Sequence, residues 1–168
     1  MGANAAADCF SDLMFLLSQA SHALTTEMTA GLASVGISPR AYCVLTSARS
    51  GELTQTQLAD VCALDKTTMV VTVDELERAG LAERRLSGSD RRARIISVTA
   101  AGEQAVAAAE GIVAGIYADV LGSLPAAERA ALVSGLARLI RPGGRLATPV
   151  QCDRPVRRRA PRQPQVVP

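Results

Sequence analysis

The chain has 168 residues, room for one ordinary domain and a tail. Apolar residues make up 48% of it, yet the aromatics are only two Phe and two Tyr, which suits closely packed helices and excludes an aromatic-rich β-sandwich. The net charge of +2 hides an asymmetry: residues 141–168 carry seven arginines against Asp153 alone, so the rest is net acidic and any nucleic-acid surface in it must be local.

From Asp8 to about Val35 the apolar residues Phe10, Leu13, Met14, Leu17, Leu24, Met28 and Leu32 recur at helical spacing, and Gly36 is the stop. Ser38-Pro39 reads as an N-cap and first helical residue, opening a helix to about Arg49 that Ser50-Gly51 breaks. Thr54 and Gln57 have the spacing of a capping box, which predicts a short helix with Leu58, Ala59 and Val61 inward. Cys62-Ala63-Leu64 forms a joint, and Asp65 caps the next helix, Lys66 to Ala79, ended by Gly80. Two short helices joined by a tight turn are the skeleton of a helix-turn-helix.

The period then changes. Leu81–Leu86 and Arg94–Val98 read as two strands with Ser87-Gly88-Ser89-Asp90 as turn material, and Arg84, Arg85, Arg91, Arg92 and Arg94 make this hairpin strongly cationic. Thr99 caps a long Ala-rich helix to about Gly122, with Val106, Ala109, Val113, Ile116 and Val120 on one face. Pro125 opens a last helix to Ile140 with Leu132, Leu136 and Leu139 inward, and Pro142-Gly143-Gly144 stops it. The remainder, rich in Pro, Arg and Gln, cannot bury a core and is expected to be disordered. The expected fold class is mainly α with a small β-hairpin.

Several function classes are disfavoured. The longest apolar stretch, Ala105 to Ala118, is interrupted by Glu110, and no segment reads as a membrane span. Asp8 and Asp12, with no basic residue before the first apolar stretch, argue against a secretory signal, so a cytoplasmic protein is expected. Cys9, Cys43, Cys62 and Cys152 form no CxxC pair, which offers neither a zinc site nor a disulfide framework, and Cys43 and Cys62 read as small core residues. A single histidine and the lack of a glycine-rich phosphate loop leave no usual catalytic or metal constellation, so neither enzyme activity nor a cofactor is expected.

Four strings stand in order: Leu64-Asp65-Lys66-Thr67-Thr68-Met69, Leu76-Glu77-Arg78-Ala79-Gly80-Leu81, Asp90-Arg91-Arg92 and Val98-Thr99-Ala100-Ala101-Gly102. Together they resemble the MarR (multiple antibiotic resistance regulator) family over roughly residues 9–140. The resemblance implies a winged helix-turn-helix homodimer: an N-terminal dimerisation helix in 1–37, a DNA-binding lobe in 38–98, C-terminal dimerisation helices in 99–141 and a basic tail in 142–168. It implies a transcriptional regulator, by default a repressor, on a pseudo-palindromic double-stranded DNA operator with half-sites about one helical turn apart.

In that picture Lys66–Ala79 is the recognition helix. Met69, Val73 and Leu76 point to the core, and Lys66, Thr67, Thr68, Val70 and Val71 lie at or near the groove, where hydroxyls can meet bases or phosphates and valine methyls can meet thymine methyls. Thr67 and Thr68 also have the simpler reading of capping or solvent contact. The family commonly carries a bulkier basic or polar residue at the position of Val71, so direct guanine readout by this helix is not expected. Of the wing arginines 84, 85, 91, 92 and 94, the resemblance assigns Arg92 to the minor groove, with Arg91 and Arg94 serving phosphates or internal pairs and Asp90 holding the hairpin's shape.

Members of the family often bind small aromatic or phenolic anions between the dimerisation helices and the DNA lobe. His22, Arg40, Tyr42 and Arg49 are the polar candidates, His22 also as a pH sensor because its unperturbed pKa lies near about 6.5. The peroxide-sensing branch places a reactive cysteine just before a Phe-Leu-Leu-like segment. Here Met14 precedes Phe15-Leu16-Leu17 and Cys9 lies farther back, so peroxide sensing is disfavoured. The competing reading is a winged-helix module for protein–protein contact without specific DNA binding, against which the wing arginines argue.

Overall fold

The computed structural model describes residues 12–49, 52–87 and 94–147, in two compact units, Met1–Ser123 and Leu124–Pro168. The first unit opens with α1, Leu13–Leu32, whose N-cap Asp12 accepts a hydrogen bond from the Phe15 amide at 2.8 Å. A 3-10 turn, Ala33–Val35, ends at Gly36 in the left-handed region, φ 74°. α2, Pro39–Ala48, starts where the Ser38 hydroxyl accepts from the Ala41 amide at 3.1 Å. α3, Gln55–Val61, has both halves of the capping box: the Thr54 amide donates to Gln57 Oε1 at 2.9 Å and the Gln57 amide to Thr54 Oγ1 at 3.3 Å. α4, Lys66–Arg78, follows a joint in which Ala63 takes a left-handed φ of 52°.

β1, Ala82–Leu86, and β2, Arg94–Val98, pair antiparallel with Ala82 opposite Val98 and Leu86 opposite Arg94. A bridge between Thr54 and Ile95 fastens the hairpin to the start of α3. α5, Ala100–Gly122, then threads both cores of the unit. The first core joins Val44 and Leu45 of α2, Leu58 of α3, Met69, Val73 and Leu76 of α4, Ile96 of β2 and Val106 of α5. The second joins Met28 and Leu32 of α1 with Ala109 and Val113 of α5.

Two of the sequence strings meet at one junction. The Thr99 amide donates to Leu81 O at 3.1 Å, and its hydroxyl donates to Gly80 O at 2.7 Å while accepting from the Gly102 amide. The backbones come so close that a Cβ on Gly102 would lie 2.0 Å from Leu81 O. Only glycine fits there without a shift.

Three inward assignments, Val61, Leu132 and Leu139, fail within the single chain, and Val120 on the apolar face of its helix is uncovered too. Val61 is 61% exposed because Leu58, Ala59 and, one turn on, Cys62 take the inner face of α3. Val120 on α5 is exposed, beyond the last residue of that helix buried in either core, Val113. In the second unit α6, Ala126–Ile140, has no buried residue, and Leu132 and Leu139 are exposed on it. α5 also departs from the sequence reading in being long and apolar enough to cross a membrane by length and composition. In this fold its Gly102, Val106, Ala109 and Val113 stripe is packed into the cores, and Glu103 and Glu110 pair with Arg49.

Candidate nucleic-acid interface

The start of α4 is built by Asp65. Its carboxylate accepts from the Thr68 amide at 2.9 Å and from the Thr68 hydroxyl at 2.5 Å, and these bonds, the hydroxyl first, hold it below the usual carboxylate range. Thr68 thus completes the cap, as the simpler of its two sequence readings has it. Thr72, which the sequence reading passed over, is buried and donates to Thr68 O at 2.8 Å. With Met69, Val73 and Leu76 in the core, Lys66, Thr67, Val70 and Val71 are left exposed along one face.

The hairpin divides its arginines by the two-residue period of a strand. Arg84 stands opposite buried Ile96 and so faces inward. Its guanidinium donates to Asp74 Oδ1 at 2.7 Å, to Gln55 Oε1 at 3.1 Å and to Glu77, while its amide donates to Glu77 Oε1 at 2.8 Å. Expected among the DNA-facing wing arginines, Arg84 is instead an internal clamp joining β1 to α3 and α4. Alternation from buried Ala82 was the sequence signal that could have found this. Arg85, one residue on, is exposed and pairs with Glu83, and Arg94 is exposed at the start of β2. Asp90, Arg91 and Arg92 lie outside the described residues, as do Cys9 and Cys152.

A cavity of about 510 Å³ opens between α1, α2, the helix-turn-helix joint and α4, with Thr29, Arg40, Cys43, Cys62 and Glu75 in its walls. A second, of about 330 Å³, adjoins it through Pro39 and Cys43 and is lined by Met28, Tyr42 and Tyr117. Arg40 and Tyr42 thus reach cavity walls. His22 is exposed and lines neither cavity. Arg49 also lines neither: its guanidinium donates to Glu103 at 3.0 Å and Glu110 at 2.6 Å, tying α2 to α5.

Of the two cysteines read as core residues, only Cys62 packs against a core. Cys43 is exposed and Cys62 half-buried. Partial burial of the sulfur, with Cys62 beside it, pushes the Cys43 thiol up to about 11, the Ser47 hydroxyl opposing. Burial likewise raises Tyr117, with Tyr42 and Cys43 adding to it. Among the described residues no group of three His, Cys, Asp or Glu side chains could hold a metal ion.

The MarR family's sequence model matches residues 35–93, which takes in α2, α3, α4 and β1. Among solved structures, CouR from Rhodococcus jostii RHA1 bound to p-coumaroyl-CoA is 28% identical, with a TM-score of 0.72 over 85% of this chain and 98% of that one. The transcriptional repressor CouR bound to a 23-mer DNA duplex is 30% identical, with a TM-score of 0.70 over 77% of this chain and 93% of its own. The Mycobacterium tuberculosis MarR family protein Rv2887, in complex with p-aminosalicylic acid, is 26% identical, with a TM-score of 0.64 over 77% of this chain and 98% of that one. A helix-turn-helix with a cationic hairpin, flanked by long helices and matched at this identity over nearly the whole of a relative, places the chain in the MarR family of winged helix-turn-helix transcriptional regulators.

Proposed function

We propose that the chain is a cytoplasmic, homodimeric repressor that holds a pseudo-palindromic operator and releases it when a small aromatic anion enters the cavity. The observation that carries this reading is the exposed face of α4, Lys66, Thr67, Val70 and Val71, on the same lobe as a hairpin whose Arg85 and Arg94 are exposed. Lys66 meets phosphate, Thr67 a phosphate or base edge, and the two valines thymine methyls. Arg92 enters the minor groove, Arg91, Arg85 and Arg94 serve phosphates, and Asp90 steadies the turn. The exposed Leu132, Val133, Leu139 and Ile140 of α6 supply apolar surface for a second copy.

CouR's complexes with DNA and with p-coumaroyl-CoA, and that of Rv2887 with p-aminosalicylic acid, support a repressor with an aromatic effector. In this chain Arg40 is the cation at the wall of the larger cavity, fit to face a carboxylate, and Tyr42 lines the smaller one. The protein regulates and does not catalyse. The arginine-rich tail, 142–168, adds a nonspecific electrostatic arm, and its deletion lowers the salt dependence of DNA binding. Selection from a random duplex pool tests the whole reading. A two-fold motif with half-sites about one helical turn apart is expected. A folded dimer that enriches no motif contradicts it and favours a protein-contact module.

A further inference from the structure

Two cysteines from different elements meet at the cavities. Cys43 on α2 and Cys62 at the C-cap of α3 stand in the wall of the same cavity, and Cys62 Sγ donates at 3.6 Å to Ser47 Oγ, one helical turn on from Cys43. Both are free thiols, both line the 510 Å³ cavity, and Cys43 is shared with the 330 Å³ one. Through Cys43 the pair adjoins space walled by Tyr42 and Tyr117, and neither thiol is among the residues assigned to DNA.

We propose that Cys43 and Cys62 form a binding site for thiophilic electrophiles of the trivalent-arsenical class, the arsenic bridging the two sulfurs and its organic substituent seated in the adjoining cavity. With an organoarsenic oxide, two As–S bonds form and the As–O bonding breaks. Both thiol protons leave with the oxygen as water, and no atom changes oxidation state. The raised Cys43 holds its proton at neutral pH, which slows its attack as a thiolate on arsenic as on a hydroperoxide and leaves the balance of the reaction unchanged. Once one sulfur has reacted the second bond is intramolecular, so the chelate outlasts any single-thiol adduct. The bridge would pin α2 to the joint that leads into the Asp65 cap. This site stands independently of how the chain reads DNA.

The test uses the full chain with Cys9→Ser and Cys152→Ser, so that the dithiol holds the only thiols, titrated with phenylarsine oxide and followed by intact mass and thiol counting. One arsenical per chain is expected, with both thiols lost, in an adduct that survives excess 2-mercaptoethanol and is released by dithiothreitol. Cys43→Ser or Cys62→Ser in that background should weaken retention at least about 100-fold. Peptide mapping of the adduct needs no further substitution and should show the peptides of Cys43 and Cys62 joined through arsenic. The proposal is overturned by two thiols still titratable at one arsenical per chain, by equally easy release from the pair and the single-cysteine variants, or by unjoined peptides.

Discussion

Arg84 Nη2 lies 2.7 Å from Asp74 Oδ1, so a strand of the hairpin is clamped to the middle of the helix that faces DNA in the proposed reading. The Arg84 side chain is only 20% exposed, and Glu77 and Gln55 complete its partners. The angle between the two DNA-reading elements therefore rests on a charge-assisted network.

Arg84→Ala should lower stability by about 1–2 kcal/mol, since its acid partners keep partial access to water. It should also weaken DNA binding while leaving the slope of log K against log salt unchanged, because no phosphate contact is lost. Arg94→Ala should do the reverse: little change in the unfolding midpoint, and a slope smaller by about one. Chemical denaturation and salt titrations of both variants check this. A reduced slope in Arg84→Ala would show that the arginine contacts DNA.

Gly102→Ala should destabilise the first unit by about 1–3 kcal/mol, because the new methyl would collide with Leu81 O and the Val98 side chain. Gly111→Ala is the control: its Cβ would meet nothing within 4 Å, and a gain of up to about 1 kcal/mol from helix propensity is expected. Thermal unfolding of both proteins decides it, and equal midpoints would contradict the close junction.

Cys43 should resist alkylation until the pH approaches about 11, whereas in urea it should react with the profile of an ordinary thiol of pKa 9.0. A raised folded value means that the native state holds this proton more tightly. Its stability contribution is thus full below pH 9.0 and is lost as the pH rises toward about 11. Iodoacetamide labelling against pH, read at the Cys43 peptide, measures this. Identical profiles for folded and unfolded chains would contradict it.

Arg40→Gln should weaken binding of a small aromatic carboxylate such as salicylate about tenfold or more and leave DNA affinity in its absence unchanged. Arg49→Gln should leave the effector response unchanged, since Arg49 is held by Glu103 and Glu110 outside both cavities. Calorimetry on the two variants separates them, and an effect confined to Arg49→Gln would move the effector site.

The helices were legible because their ends are local. Ser38, Thr54, Asp65 and Thr99 each cap the helix that the spacing assigned to them, and every such bond spans three residues. Arg84 was misjudged because charge alone does not say which side of a strand a residue takes, although alternation from Ala82 did. The strings around Gly80 and Thr99 were recognisable as wording, but their reason is a contact between distant segments. For Leu132, Val120 and Leu139 the periodicity correctly marks an apolar face, yet nothing within one chain buries them. The cavities and the Cys43–Cys62 pair come from tertiary assembly, which no local spacing encodes.

The most direct measurement is an anisotropy titration of a duplex carrying the selected motif, at two salt concentrations, with the unmodified protein beside Arg92→Ala. Tight, salt-sensitive binding that weakens by about 1–3 kcal/mol in the variant is expected, while a scrambled duplex binds both weakly. Equal affinity of protein and variant for the motif, or equal affinity of the protein for motif and scramble, would contradict a wing-dependent, sequence-specific reader.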